Sequence, residues 1–174
     1  WAVRHFQYEF GLKVDGIVGP KTKLMLWKAT KNWKPDAGGG GGGTSSSGTP
    51  ARASHGYSES EIRLMAHAVY GEARGEPYEG QVAIAAVILN RVKSELFPNT
   101  IAGVIYQPGA FTAVADGQIN LTPNETAYKA VYDALNGWDP SGGALYYFNP
   151  DTATSAWIWS RPQIKRIGKH IFCK

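Results

Sequence analysis

Apolar and polar positions alternate along the chain at helical spacing in several separate blocks. Val3, Phe6 and Phe10 recur at i, i+3 and i+7, which predicts a short helix that Gly11 can end. Asp15-Gly16 and Gly19-Pro20 read as turns, and Thr22 with Leu24 to Trp27 suggests a second helix. Two short helices make a thin core. After a long polar interval, Ser58 and Glu61 form an S-x-x-E capping box ahead of Ile62, Met65 and Val69. Glu72 follows Val69 by three residues, so it falls on the apolar side of that helix at its C-terminal end. Gly75 and Pro77 break the helix there.

The next block, about Glu79 to Ser94, is apolar nearly all round. It predicts a central buried helix, and its length argues against a strand. A short helix is expected over Thr100–Tyr106 and a short strand over Ala110–Val114. Thr122-Pro123-Asn124-Glu125 reads as a second capping box, with its helix running to about Asn136. Ala144–Phe148 and His170–Cys173 look like short strands. The expected fold is α+β: mainly α, with a small β element beside the helices.

Composition divides the chain. Gly38 to Gly43 and Thr44 to Gly48 mark a Gly/Ser-rich linker over 35–57, with a coil reach of roughly 25 Å. It separates a front module (1–34) from the main domain (58–174), and the two need not touch. Seven Lys or Arg face Glu9 and Asp15 within 1–34, a local +5, which leaves −1 of the chain's +4 for the rest. The basic front suits an anionic polymer, or is simply a solvated helix pair. The single Cys173 allows no intrachain disulfide. No apolar run is long enough to span a membrane. The opening on Trp1, inside a helical pattern, reads as a fragment of a longer precursor.

Glu72 is the candidate for chemistry. A carboxyl at the edge of an apolar helix face is desolvated, which raises its pKa and suits a general acid. The plainer reading pairs it with Arg74, Arg91 or Lys93. Glycosidases ordinarily use two carboxylates, and Glu76, Glu79 and Asp116 are the nearest partners, each better explained structurally. Tyr146, Tyr147, Phe148, Trp157 and Trp159 cluster around Asn149. Aromatic faces of this kind cover sugar rings, although about half belong to the core and the tryptophans can clamp a loop. His5, His55, His67 and His170 are scattered. No H-E-x-x-H, G-x-S-x-G or phosphate-binding glycine loop occurs. No metal and no cofactor are expected.

The runs Val69-Tyr70-Gly71-Glu72-Ala73-Arg74-Gly75-Glu76-Pro77 and Glu79 to Val92 resemble the cell wall hydrolase domain of SleB-type spore cortex-lytic enzymes. So do Val104-Ile105-Tyr106-Gln107, Phe111-Thr112-Ala113-Val114, Asp139 to Pro150, Trp159-Ser160-Arg161-Pro162 and Ile167-Gly168-Lys169-His170. Phe6-Gln7, Gly11-Leu12, Val14-Asp15-Gly16, Val18-Gly19-Pro20 and Thr22 resemble the second half of a three-helix peptidoglycan-binding domain. The resemblance implies a lysozyme-like, lytic-transglycosylase-like fold and cleavage of the MurNAc-GlcNAc bond during germination. The implied substrate is cortex peptidoglycan bearing muramic-δ-lactam, and the implied products end in 1,6-anhydromuramic acid. It makes Glu72 the catalytic residue. It also offers Gln107, Phe111, Thr112, Tyr146, Tyr147, Asn149 and Trp159 as substrate contacts. It further implies export to the spore cortex and the periphery of the inner spore membrane, action as a monomer, and room for a regulatory protein partner. The alternatives are a muramidase using Glu72 with water and Asp116 or Glu76, and a non-catalytic wall-binding protein. The missing metal-ligand cluster disfavours an amidase, and the near-neutral main domain disfavours nucleic-acid binding.

Overall fold

The computed structural model describes residues 2–9, 11–30 and 56–174. Phe10 and nearly all of the expected linker lie outside the described residues. The elements in order are α1 (Ala2–Glu9), α2 (Pro20–Thr30), α3 (Glu59–Ala73), α4 (Tyr78–Lys93), α5 (Ile101–Ile105) and α6 (Thr112–Ala115). A 3-10 turn (Gln118–Asn120) follows, then α7 (Glu125–Leu135), β1 (Tyr146–Phe148), α8 (Ala156–Trp159), β2 (Gln163–Ile167) and β3 (His170–Cys173). The architecture is mainly helical with one small antiparallel sheet in the order β1-β3-β2.

α4 is the central helix. Every residue from Gly80 to Leu89 is buried, as the all-round apolar pattern requires. α3 and α7 pack on it. α7 contributes Ala127, Ala130, Val131 and Ala134, a stripe at i, i+3, i+4 and i+7. Met65, Val69, Ile84 and Ile88 have no accessible surface, each worth about 1.5–3 kcal/mol of burial.

Local signals set the helix ends. Ser58 caps α3, and its capping box with Glu61 is formed in both directions. The second expected box is not formed. Asn124 caps α7 instead, its side chain accepting from the Ala127 N–H, because a side chain at the N-cap reaches the N3 amide and Thr122 lies two residues too early. The expected strand at Ala110–Val114 is also corrected. Phe111 is extended, but Thr112–Ala115 turns into α6. β-branched residues gave the strand signal there, and packing against α3 overrode it. The edge strand β2 and the one-turn α8 carry no periodic pattern of their own.

The sheet is tied to α4 by a polar loop. Asn90 donates to Asp139 Oδ2 at 3.0 Å and to the Ala144 carbonyl at 3.1 Å. Burial opposes the Asp139 charge, yet hydrogen bonds from Ser141, Asn90 and the Gly143 amide hold its pKa below the ordinary range. In the register, Tyr147 pairs with Phe172 and Tyr146 with Cys173.

The front module touches the main domain. Gln7 is buried and knots this module together. Its Nε2 donates to Asp15 Oδ1, the Ile17 carbonyl and Thr22 Oγ1 at 2.8, 2.9 and 3.0 Å, and its Oε1 accepts from the Gly16 N–H. Val14 is only 4% exposed, and its N–H donates to Asn120 Oδ1 at 3.1 Å. Tyr8 meets His67 edge-on at 5.7 Å. A helix pair this small cannot bury its own apolar side chains, so a neighbouring surface covers them.

Gly71 is where α3 and α6 approach most closely. A Cβ there would lie 2.6 Å from the Ala113 Cβ. Gly71→Ala is expected to lower stability by about 1–3 kcal/mol, the usual cost of overpacking. Gly75→Ala, which meets nothing within 4 Å, serves as control and should leave stability unchanged or slightly raised. Urea unfolding midpoints of the two variants check this.

Candidate active site

Glu72 occupies the last turn of α3 and is half-buried. The helix stops beyond it because Arg74-Gly75 turns the chain and Pro77 caps the next helix. The bare face of Gly71 lets the start of α6 rest against this turn. One carboxylate oxygen, Oε1, accepts the Ala113 N–H at 2.6 Å. That amide belongs to the first turn of α6, where backbone donors have no partner within the helix. The other oxygen, Oε2, accepts the Tyr147 hydroxyl at 2.9 Å, delivered from β1. Three elements distant in sequence thus converge on one carboxyl group.

Burial pushes the Glu72 pKa up. The Ala113 amide and the Tyr147 hydroxyl pull it down, and the Asp116 charge pushes it up again. Burial prevails, so the pKa stands above the ordinary carboxylate value. Tyr147 is itself held far above the usual phenol range, by burial first and by Glu72 second. It therefore remains a donor at every working pH. Its ring is wedged against Phe111, His170 and Phe172, with centroids 6.3, 5.1 and 5.9 Å away.

Among the described residues, Glu72 forms no ion pair with Arg74, Arg91 or Lys93. Arg74 donates to the Gly71 carbonyl and to Gln118 Oε1, and Arg91 turns to the Leu145 carbonyl. The other carboxylates are also engaged. Glu76 Oε2 accepts the Lys169 N–H at 2.8 Å, Glu79 pairs with Lys165 at 3.3 Å, and Asp116 accepts from the Gln118 backbone at 3.0 Å.

Two clefts are lined by residues of this site. One, of about 350 Å³, is lined by Glu72, Glu76, Gln118, Asn149, Lys169 and His170 among others. The second, of about 380 Å³, is lined by Arg91, Gln107, Tyr146, Tyr147, Ser155 and Trp157 among others. The expected contact residues divide accordingly. Asn149 lies in the first cleft; Gln107, Tyr146 and Tyr147 lie in the second. Thr112 is exposed at the start of α6. Phe111 is only 2% exposed and supports Tyr147 from beneath. Trp159 lines neither cleft. Its Nε1 donates to the Ala153 carbonyl and its ring packs on Phe148, so it clamps its own loop.

Sequence reasoning missed Gln118, which holds Arg74, and His170, which is 9% exposed with an Nδ1 that has no partner among the described residues. A scattered histidine and a lone glutamine carry no spacing signal. Among the described residues, no group of three His, Cys, Asp or Glu converges to hold a metal.

The family described as Cell Wall Hydrolase matches residues 75–173, and one described as putative peptidoglycan binding domain matches residues 1–26. Glu72 thus falls just before the first residue matched by the hydrolase family. A spore cortex-lytic enzyme of Bacillus cereus is 66% identical over the whole of this chain and 72% of its own length. The crystal structure of the catalytic domain of the Bacillus cereus SleB protein superposes with a TM-score of 0.66 at 74% identity, covering 72% of this chain and all of that one. The catalytic domain of the germination-specific lytic transglycosylase SleB from Bacillus anthracis gives the same TM-score at 78% identity, over 68% of this chain and 98% of its own. Identity of this order across the full chain, together with a family match over more than half of it, places this chain in the spore cortex-lytic enzyme family of cell wall hydrolases.

Proposed function

We propose that the chain is a lytic transglycosylase that cleaves the MurNAc-GlcNAc bond of cortex peptidoglycan outside the cytoplasm, with Glu72 as its catalytic acid and base. Residues 58–174 form the catalytic unit and residues 1–34 a partial wall-binding module. One observation carries the reading: a single desolvated carboxyl lines an open cleft, held by donors that fix its position without neutralising it. The Bacillus anthracis relative, a germination-specific lytic transglycosylase, agrees with it.

In this reading, protonated Glu72 gives its proton to the glycosidic oxygen, and the bond from C1 of the muramic residue to that oxygen breaks. Positive charge gathers at C1. The Glu72 carboxylate then takes the proton of the same sugar's C6 hydroxyl, and that oxygen closes on C1 to give the anhydro ring. The nucleophile is already part of the substrate, so proximity replaces a water held by a second carboxylate. Glu76 and Asp116 being occupied by backbone donors fits this economy. Tyr147 and the Ala113 amide stabilise the carboxylate after proton transfer, which keeps Glu72 acidic enough to donate. The competing hydrolytic route has one point in its favour, that Glu76 lines the same cleft as Glu72. Product masses decide between them, since a hydrolysed end is heavier by one water.

Glu72→Gln is expected to fold and to release no anhydro-muropeptides from purified cortex. Near-normal release by this variant would refute the assignment. Because the acid form is the active one, activity should fall as pH rises through the raised Glu72 pKa. Tyr147→Phe removes a donor that favours the carboxylate, so the alkaline limb should move to higher pH while the maximal rate falls. Initial rates on soluble fragments across pH test both statements. Linkage gives a third. Between the ordinary carboxylate pKa and the raised folded value, the folded state holds a proton that the unfolded chain has lost, so this group's contribution to stability falls as pH rises. The Tm of Glu72→Gln relative to wild type should therefore increase with pH across that window.

A further inference from the structure

Arg91, in the last turn of α4, is only 5% exposed. Its Nε donates to the Leu145 carbonyl at 2.7 Å. Its guanidinium lies over the rings of Phe97, Phe111 and Tyr146, 5.1, 5.2 and 5.6 Å from their centroids. Among the described residues no carboxylate pairs with it, and neither terminal nitrogen donates a hydrogen bond. A guanidinium has five N–H donors, and here the protein uses one. Aromatic faces stabilise the charge from above and below, but they do not satisfy donors lying in the plane of the group. Burying a cation without an anion is costly, and folds retain such a group where something else completes it.

The accessible remainder of Arg91 opens onto the 380 Å³ cleft beside Gln107, Tyr146, Ser155 and Trp157. Tyr146 and Trp157, which line the same cleft, meet edge-on at 5.1 Å, Trp157 is 54% exposed, and the Arg161 guanidinium lies over both rings, 4.6 and 5.2 Å from their centroids. Tyr147 also lines this cleft, and its hydroxyl is the group that holds Glu72. Tyr147 therefore links a ligand group seated in this cleft to the acid. A planar fork of donors matches the two oxygens of a carboxylate, or the single oxygen of an amide carbonyl.

We propose that the cleft at Arg91 is a subsite for a planar oxygen acceptor, a carboxylate or an amide carbonyl, carried by the sugar next to the bond that is cut. The proposal rests on the glycan-cleaving reading above. Arg91 orients the substrate through this acceptor.

The test uses the full chain with Glu72→Gln, so that nothing turns over, and follows the arginine side-chain N–H resonances by NMR. N-acetylmuramic acid presents a carboxylate and an amide, whereas N-acetylglucosamine presents the amide alone. A perturbation of the Arg91 signal by the first sugar only assigns the carboxylate, and one by both sugars assigns the amide carbonyl. No perturbation by either at millimolar concentration overturns the subsite. Ser155→Tyr, on the exposed rim of the cleft, should fill it without touching Arg91 and abolish the response. A response that survives it places the sugar elsewhere and also overturns the proposal. In the active protein, Arg91→Lys keeps the charge but loses the fork. It should raise KM roughly tenfold, the equivalent of one charge-assisted hydrogen bond, with kcat nearly unchanged. A kcat loss with KM unchanged would make Arg91 a structural support only. Activity remaining in Glu72→Gln would sink the catalytic reading whatever Arg91 does, so the two failures can be told apart.

Discussion

A carboxyl group taken partly out of water must stay neutral or find donors, and Glu72 does some of each. Burial lifts its pKa, and two donors set a limit on that lift. Without them, a desolvated acid would hold its proton too tightly to give it up. Without the burial, nothing would raise its pKa above the ordinary carboxylate value except the Asp116 charge. The site is a balance between desolvation and hydrogen bonding at a single group.

That balance depends on backbone placement more than on side-chain chemistry. The Ala113 amide reaches Glu72 because α6 begins there and Gly71 leaves space for it. Tyr147 reaches Glu72 because β1 is registered on β3, with Phe172 and His170 packed against its ring. The loop after α3 is fixed from the far side. Glu76 accepts the Lys169 amide in the β2–β3 turn, where Gly168, at φ 55°, leaves no room for a Cβ against Glu76 and Pro77. The polar loop at Asp139 anchors the sheet to α4, and so holds the Tyr147 donor steady relative to the helices.

The front module bears on the same framework. Val14 and Tyr8 rest on the 3-10 turn and on α3, two elements that flank the Glu72 turn. The buried Gln7 satisfies its own hydrogen bonds with Asp15, Ile17, Gly16 and Thr22, which gives this small helix pair internal order despite its thin core.

The sequence by itself determined the longer helices and their order. Periodicity and capping are local, so Ser58 with Glu61 marked the start of α3, and the apolar run through Ile84 and Ile88 marked the central helix. It also placed Glu72 at the edge of the core, since helix geometry fixes which face a residue takes. Family resemblance, read from contiguous blocks, proposed a chemistry for that residue. The tertiary structure alone decided what Glu72 touches. Ala113 and Tyr147 lie 41 and 75 residues away, and no periodicity links them to it. The helical state of Thr112–Ala115, the docking of the front module and the aromatic setting of Arg91 were likewise settled by packing between distant segments. Desolvation and donor geometry belong to the assembled surface, whereas sequence patterns report only on neighbours along the chain.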